Sequence, residues 1–163
     1  MLILLIGFKD YSKSCGPNNK PYNNLDSAVE DVLAMKKFLL EEAKKINVQN
    51  HLMYTVMEDD DDEDPIGQKL KKEADGIKKI RNSMKGEAVN VFIYYSGHGC
   101  SISGQTNIVL PTFNHNVNPR EGLFDINKFI NDLEAMRRTN ILAILDCCRE
   151  KIDPSILGTK GPD

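Results

Sequence analysis

The stretch "NILAILDCCRE", Asn140 to Glu150, runs apolar for five residues, meets an acid, and then sets two cysteines side by side before an arginine. A short apolar run of this kind reads as a buried strand, and whatever follows it sits at the strand's carboxyl end. The same plan recurs upstream, where "AVNVFIYY", Ala88 to Tyr95, gives way to "SGHG", which carries His98. "LILLIG", Leu2 to Gly7, is a third apolar run. "HLMYTVM", His51 to Met57, alternates as a β-rich segment, and "NIVLP", Asn107 to Pro111, is a short strand.

Helical patterns separate these strands. From Leu25 to Ile46 apolar residues recur at three- and four-residue spacings, with Asn24 placed as a cap. A second pattern follows Pro65 through Leu70, Ala74, Ile77 and Ile80, and "DINKFINDLEAM" is a third, opened by Asp125. "FKDYSKSCGPNNKPYNN", Phe8 to Asn24, and "SGHGCSISG", Ser96 to Gly104, are dense in Gly, Asn, Pro and Ser and read as loops. Strands that alternate with helices and are apolar on both faces predict an α/β fold. It is a mainly parallel sheet flanked by helices, built as a single domain over residues 1–163. Sheets of this kind gather reactive groups at the carboxyl ends of their strands.

Composition narrows the function. A chain of 163 residues with 40% hydrophobic content can bury one full core. A net charge of -3, with acids and bases interspersed, gives no broad basic footprint, so nucleic acid and anionic membrane surfaces drop out as partners. The opening "MLILLIGF" lacks a basic flank and is too short for a signal core or a membrane span. Cysteines 15, 100, 147 and 148 show no CxxC spacing, which points away from a zinc ribbon or a disulfide framework and toward a reducing, cytoplasmic setting.

A thiol becomes a good nucleophile when a nearby base or positive charge favours thiolate, and an imidazole can supply this and later protonate a leaving amine. His98 precedes Cys148 by about 50 residues, a separation that suits a cysteine-peptidase dyad. Both follow apolar strands, so both are expected on the same edge of the sheet.

"YYSGHG" with "LDCCRE", preceded by "LLIG…Y…L…A…D" over Leu4 to Asp31, resembles the large-subunit portion of the caspase-like cysteine peptidase clan, closest to paracaspases and metacaspases. The resemblance covers nearly the whole chain in the expected order and implies the caspase-hemoglobinase fold. Alignment on Arg149 gives Cys148 the nucleophile position and Cys147 the variable position before it. It further implies His98 as proton carrier, and the backbone of Gly99 and Cys148 as donors to the oxyanion. True caspases accept a substrate aspartate through a glutamine two residues before the nucleophile together with arginines. Here Asp146 holds that position, and the loop after "LLIG" has Lys9, Lys13 and Lys20 but no arginine. Paracaspases and metacaspases carry an aspartate at that position and another in the first helix, which Asp31 in "LDSAVEDV" matches. Two converging carboxylates pair with a guanidinium or an ammonium, so the implied activity is a cysteine endopeptidase cutting after Arg or Lys in protein or peptide substrates.

The run Glu58 to Asp64 lacks the spaced ligands and central glycine of an EF-hand and reads as a solvated acidic loop. No cofactor is expected; many metacaspases need calcium, but no matched calcium site supports it here. Cys100 with Cys147 and Cys148 lacks structural-zinc spacing. The resemblance also implies further strands after the nucleophile, and hence a small-subunit-like C-terminal segment or a dimer partner. The rival reading is a non-catalytic caspase-like interaction module whose sheet edge pairs with another chain.

Overall fold

Leu2 to Gly7 forms a strand buried at every position, as expected of a central strand flanked on both faces. In the computed structural model, which describes residues 1–17, 20–45, 51–57, 65–84, 86–117, 119–148, 150–153 and 155, this is β1. The elements then run α1 (Ser27–Lys45), β2 (Leu52–Met57), α2 (Ile66–Ser83), β3 (Val89–Ser96), β4 (Gly99–Ile102), β5 (Gln105–Val109), β6 (Leu123–Asp125), α3 (Ile126–Glu134), β7 (Thr139–Asp146) and β8 (Glu150–Lys151). The acidic run 58–64, Ile46 and Arg149 lie outside the described residues.

The central sheet has the order β2-β1-β3-β7 and is parallel throughout. The chain leaves β1 toward β2 on one side and returns to β3 on the other, so the strand order reverses between β1 and β3. Such a reversal opens a crevice at the carboxyl ends of the strands. One face packs against α2 and α3, with Leu70, Ala74, Ile77, Phe129 and Leu133 meeting Leu4, Ile6, Val91, Ile93 and Tyr95. The other face packs Val32 of α1, with Met35 and Leu39, against Ile3, Leu5, Phe92 and Tyr94. Asp125 caps α3 as expected, its carboxylate accepting from the Lys128 N–H at 2.8 Å.

Three readings are corrected. Asn24 does not cap α1: its side-chain oxygen accepts from the Tyr11 N–H at 2.8 Å and so ties down the loop after β1. "SGHGCSISG" is only partly loop, because Gly99–Ile102 forms β4 and pairs with β5 across a two-residue turn. The turn is Ser103 (φ 50°) and Gly104 (φ 81°), the left-handed pair that a tight hairpin needs. β4, β5, β6 and β8 make a second sheet, in the order β6-β5-β4-β8. Finally, β7 is not covered on both faces. It is an edge strand, with Leu142 58% and Ile144 41% exposed.

Candidate active site

The carboxyl ends of β3 and β7 lie side by side, with Ser96 opposite Asp146 in the register. Beyond β3 the chain turns through Gly97 to His98, and two tyrosines fix that turn from beneath. The His98 N–H donates to the Tyr11 hydroxyl at 3.0 Å, and the Tyr95 hydroxyl donates to the His98 carbonyl at 2.5 Å. Both tyrosines are fully buried. Gly97 is required by this packing, since a Cβ there would stand 2.4 Å from the Tyr95 hydroxyl and 2.9 Å from that of Tyr11.

The His98 ring is held as firmly as its backbone. Tyr11 meets it edge-on with centroids 4.5 Å apart, and Tyr22 lies 4.8 Å away at 46°. His98 Nε2 is 2.7 Å from the Asn23 carbonyl oxygen. A carbonyl can only accept, so Nε2 carries the proton in this bond and the neutral ring keeps its lone pair on Nδ1. The ring therefore presents a base at a defined atom.

The two thiols part company just beyond β7. Cys147 packs against the core around Tyr95 and Cys100, and its Sγ would be 2.6 Å from a Cβ at Gly99. Cys148 is exposed and, with His98, lines a cavity of about 220 Å³. The other walls of that cavity come from Gly16, Pro17 and Lys20 to Asn23 in the loop after β1, from Gly99 and from Glu150 of β8. The bond from the Val109 N–H to the His98 carbonyl makes these two the hydrogen-bonded pair of the hairpin. The next pair, Gly99 and Ile108, is then non-hydrogen-bonded, so the Gly99 amide points away from β5. Cys100, fully buried, has its thiol pushed up to about 12 by burial first, then by the neighbouring Cys147 and Glu150. It is no nucleophile at neutral pH.

The acids gather elsewhere. The Ser96 hydroxyl donates to Asp31 Oδ2 at 3.2 Å, and Asp146 is the register partner of Ser96 on the adjacent strand. The Tyr94 phenol is raised by burial first and then by the charges of Asp31 and Asp146, which places both carboxylates around it. Asp31 and Asp146 are thus brought together, on the α1 side of the edge, but neither lines the cavity that holds His98 and Cys148. Sequence reasoning missed Tyr11, Tyr22, Asn23, Tyr95 and Glu150. The tyrosines of the loop and the pair before "SGHG" were visible, but nothing local tells a packing ring from one that cages a histidine. No group of three or more His, Cys, Asp or Glu side chains among the described residues could hold a metal ion. No helix among the described residues is long and apolar enough to cross a membrane.

A family model described as a caspase domain matches residues 1–162. The crystal structure of a protein from Geobacter sulfurreducens superposes with a TM-score of 0.55 at 16% identity, covering 93% of this chain. This chain spans about half of that one, 51%. No curated protein matches in sequence.

Proposed function

We propose that this chain, which belongs to the caspase-domain family of cysteine peptidases, hydrolyses peptide bonds after Arg or Lys with Cys148 as nucleophile and His98 as proton carrier. The observation that carries the proposal is the shared cavity: an exposed thiol and an imidazole whose Nε2 is committed to the Asn23 carbonyl. Nδ1 takes the proton of Cys148, and the thiolate attacks the scissile carbonyl. The backbone amides of Gly99 and Cys148 receive the oxyanion, and His98 returns the proton to the leaving amine as the C–N bond breaks. Water then hydrolyses the thioester, with the imidazole again acting as base. Asp31 and Asp146 hold the basic side chain on the acyl side of the bond, beside Ser96.

The test is a peptide library incubated with the full chain, and with any segment that naturally follows it. Cuts are expected after Arg and Lys, and preferred cutting after Asp would overturn the pocket assignment. Loss of labelling by a thiol-reactive peptide in Cys148→Ala but not in Cys147→Ala is the matching test of the nucleophile.

One observation supports a second, compatible reading, that a further strand from a C-terminal segment or a partner completes the sheet. β7 pairs only with β3 among the described strands, and Leu142 and Ile144 stay exposed on it. Sedimentation of the full chain tests the dimer version, for which a monomer at working concentration is the contrary result.

A further inference from the structure

The cavity that holds His98 and Cys148 contains more than the dyad needs. Tyr22 forms one wall, and its hydroxyl is buried with no hydrogen-bond partner among the described residues. A buried phenol without a partner is costly, but this hydroxyl is closed off from solvent, so Tyr22 offers the cavity its ring and not its lone pairs. Glu150, held at this wall because β8 pairs in parallel with β4 at Cys100, lines the same cavity and makes no ion pair among the described residues. Its charge reaches two inner groups, raising the Tyr22 phenol and the Cys100 thiol after burial has done most of that work. Tyr22 therefore stays protonated and neutral, and Glu150 brings the negative charge to this wall.

We propose that Tyr22 and Glu150 form a second subsite, which takes a Lys or Arg side chain on the leaving-amine side of the scissile bond. This deepens the peptidase reading and rests on it. Asp31 and Asp146 lie on the α1 side of the sheet edge, and the Tyr22–Glu150 wall lies on the side of His98. The group that protonates the leaving amine stands beside the residue that leaves, so a substrate crossing Cys148 sets its acyl-side residue against the aspartates and its leaving residue in this cavity. An ammonium has three donors and no acceptor, which suits the Glu150 carboxylate, and its alkyl stem can lie along the Tyr22 ring. Lys20, also on the cavity wall, supplies the opposite charge and would favour an acidic leaving residue if it governed the subsite.

The experiment compares peptides that share an Arg before the cut and carry Lys, Ala or Glu after it, beside an Arg substrate with a coumarin leaving group. The full chain is expected to cut the Arg–Lys peptide about twofold to fivefold better than the Arg–Glu peptide, the modest ratio of a solvent-facing ion pair. Glu150→Gln should bring that ratio close to one, and Tyr22→Phe, which keeps the ring on the cavity wall, should leave it unchanged. Hydrolysis of the coumarin substrate with no discrimination among the three peptides would overturn the subsite and leave the dyad standing. A preference for Glu that vanishes in Lys20→Ala would assign the cavity to Lys20 instead and overturn the proposal. Failure to cut any of the four would count against the dyad. Binding of the three peptides to Cys148→Ala, followed by tryptophan-free fluorescence anisotropy of labelled peptide, then decides the subsite alone: equal affinities overturn it, and tighter binding of the Arg–Lys peptide supports it.

Discussion

The two flanks of the sheet's carboxyl edge are built in opposite ways. On the side of α2 and the second sheet, His98 is enclosed: tyrosines bond its backbone, aromatic rings flank its imidazole, and the Asn23 carbonyl fixes its tautomer. On the side of α1, Asp31 and Asp146 surround Ser96 and Tyr94 beside an edge strand whose apolar residues remain exposed. On the proposed roles of the two flanks, a base on one and a charge pocket on the other, the difference follows from what each task needs. A general base must sit within a fraction of an ångström of its proton, so its orientation is fixed by packing and hydrogen bonds before substrate arrives. A charge pocket works through a field that falls off gradually, and can be completed by the ligand or by a neighbouring segment.

The largest effect that could break this contrast is on the enclosed side. Cys148→Ala should abolish cleavage, and His98→Ala should lower turnover by about 10²–10⁴-fold without unfolding the domain. Cys147→Ala should retain most activity, because Cys147 packs against Gly99 and the core and does not line the cavity. A fully active His98→Ala would remove the imidazole from the chemistry and reduce the aromatic cage to ordinary packing.

On the open flank the expected effect is smaller. Asp31→Asn and Asp146→Asn should each lower kcat/KM for Arg substrates by about tenfold to a hundredfold, the worth of one charge-assisted hydrogen bond of about 1.5–3 kcal/mol. Unfolding midpoints in urea should hardly move, since Asp146 is exposed and, among the described residues, Asp31 bonds only the Ser96 hydroxyl. If either variant lost stability and kept its specificity, the acid pair would be a helix-to-sheet tie and not a pocket.

Gly97→Ala tests how rigid the enclosed flank is. A methyl group 2.4 Å from the Tyr95 hydroxyl must push apart the contacts that hold His98, at a cost of about 1–3 kcal/mol in unfolding free energy. Activity should fall along with it, because the displaced atoms carry the His98 backbone. Unchanged activity in a destabilised variant would show that the tyrosine contacts stabilise the turn without placing the imidazole.

This same contrast explains what could be read in advance. The apolar runs of β1 and β3, the helix periodicity of α1 to α3, and the His98 and Cys148 strand ends all depend on local pattern, and all were legible. β7 read as doubly buried because apolar residues occupy both of its faces; exposure of Leu142 and Ile144 depends on what packs beside them, which no strand records. β4 was hidden by the glycines around it, although the Ser103-Gly104 pair was a usable hairpin signal. The role of Glu150 depends on a two-residue strand pairing with β4, a long-range register invisible to periodicity.

The smallest predicted effect concerns water on the enclosed side, through Cys100. This thiol is 0% exposed, and its pKa is raised to about 12 by burial first and then by Cys147 and Glu150. An unfolded chain releases the same proton near pH 8.5. Below that pH both states keep the proton, so the thiol does not make stability depend on pH. Above it the unfolded state ionises while the folded state cannot, and stability falls as pH rises toward 12. Urea unfolding measured from pH 7 to pH 10 should therefore show an alkaline loss of about 1–2 kcal/mol that Cys100→Ala removes. The Tyr22, Tyr94 and Tyr95 phenols, also raised, add losses of their own as unfolded tyrosine ionises around pH 10, and since these persist in Cys100→Ala the difference between the two proteins isolates the thiol. An identical slope in the parent and in Cys100→Ala would mean that water reaches the thiol behind the dyad. The enclosed flank would then be no drier than the open one.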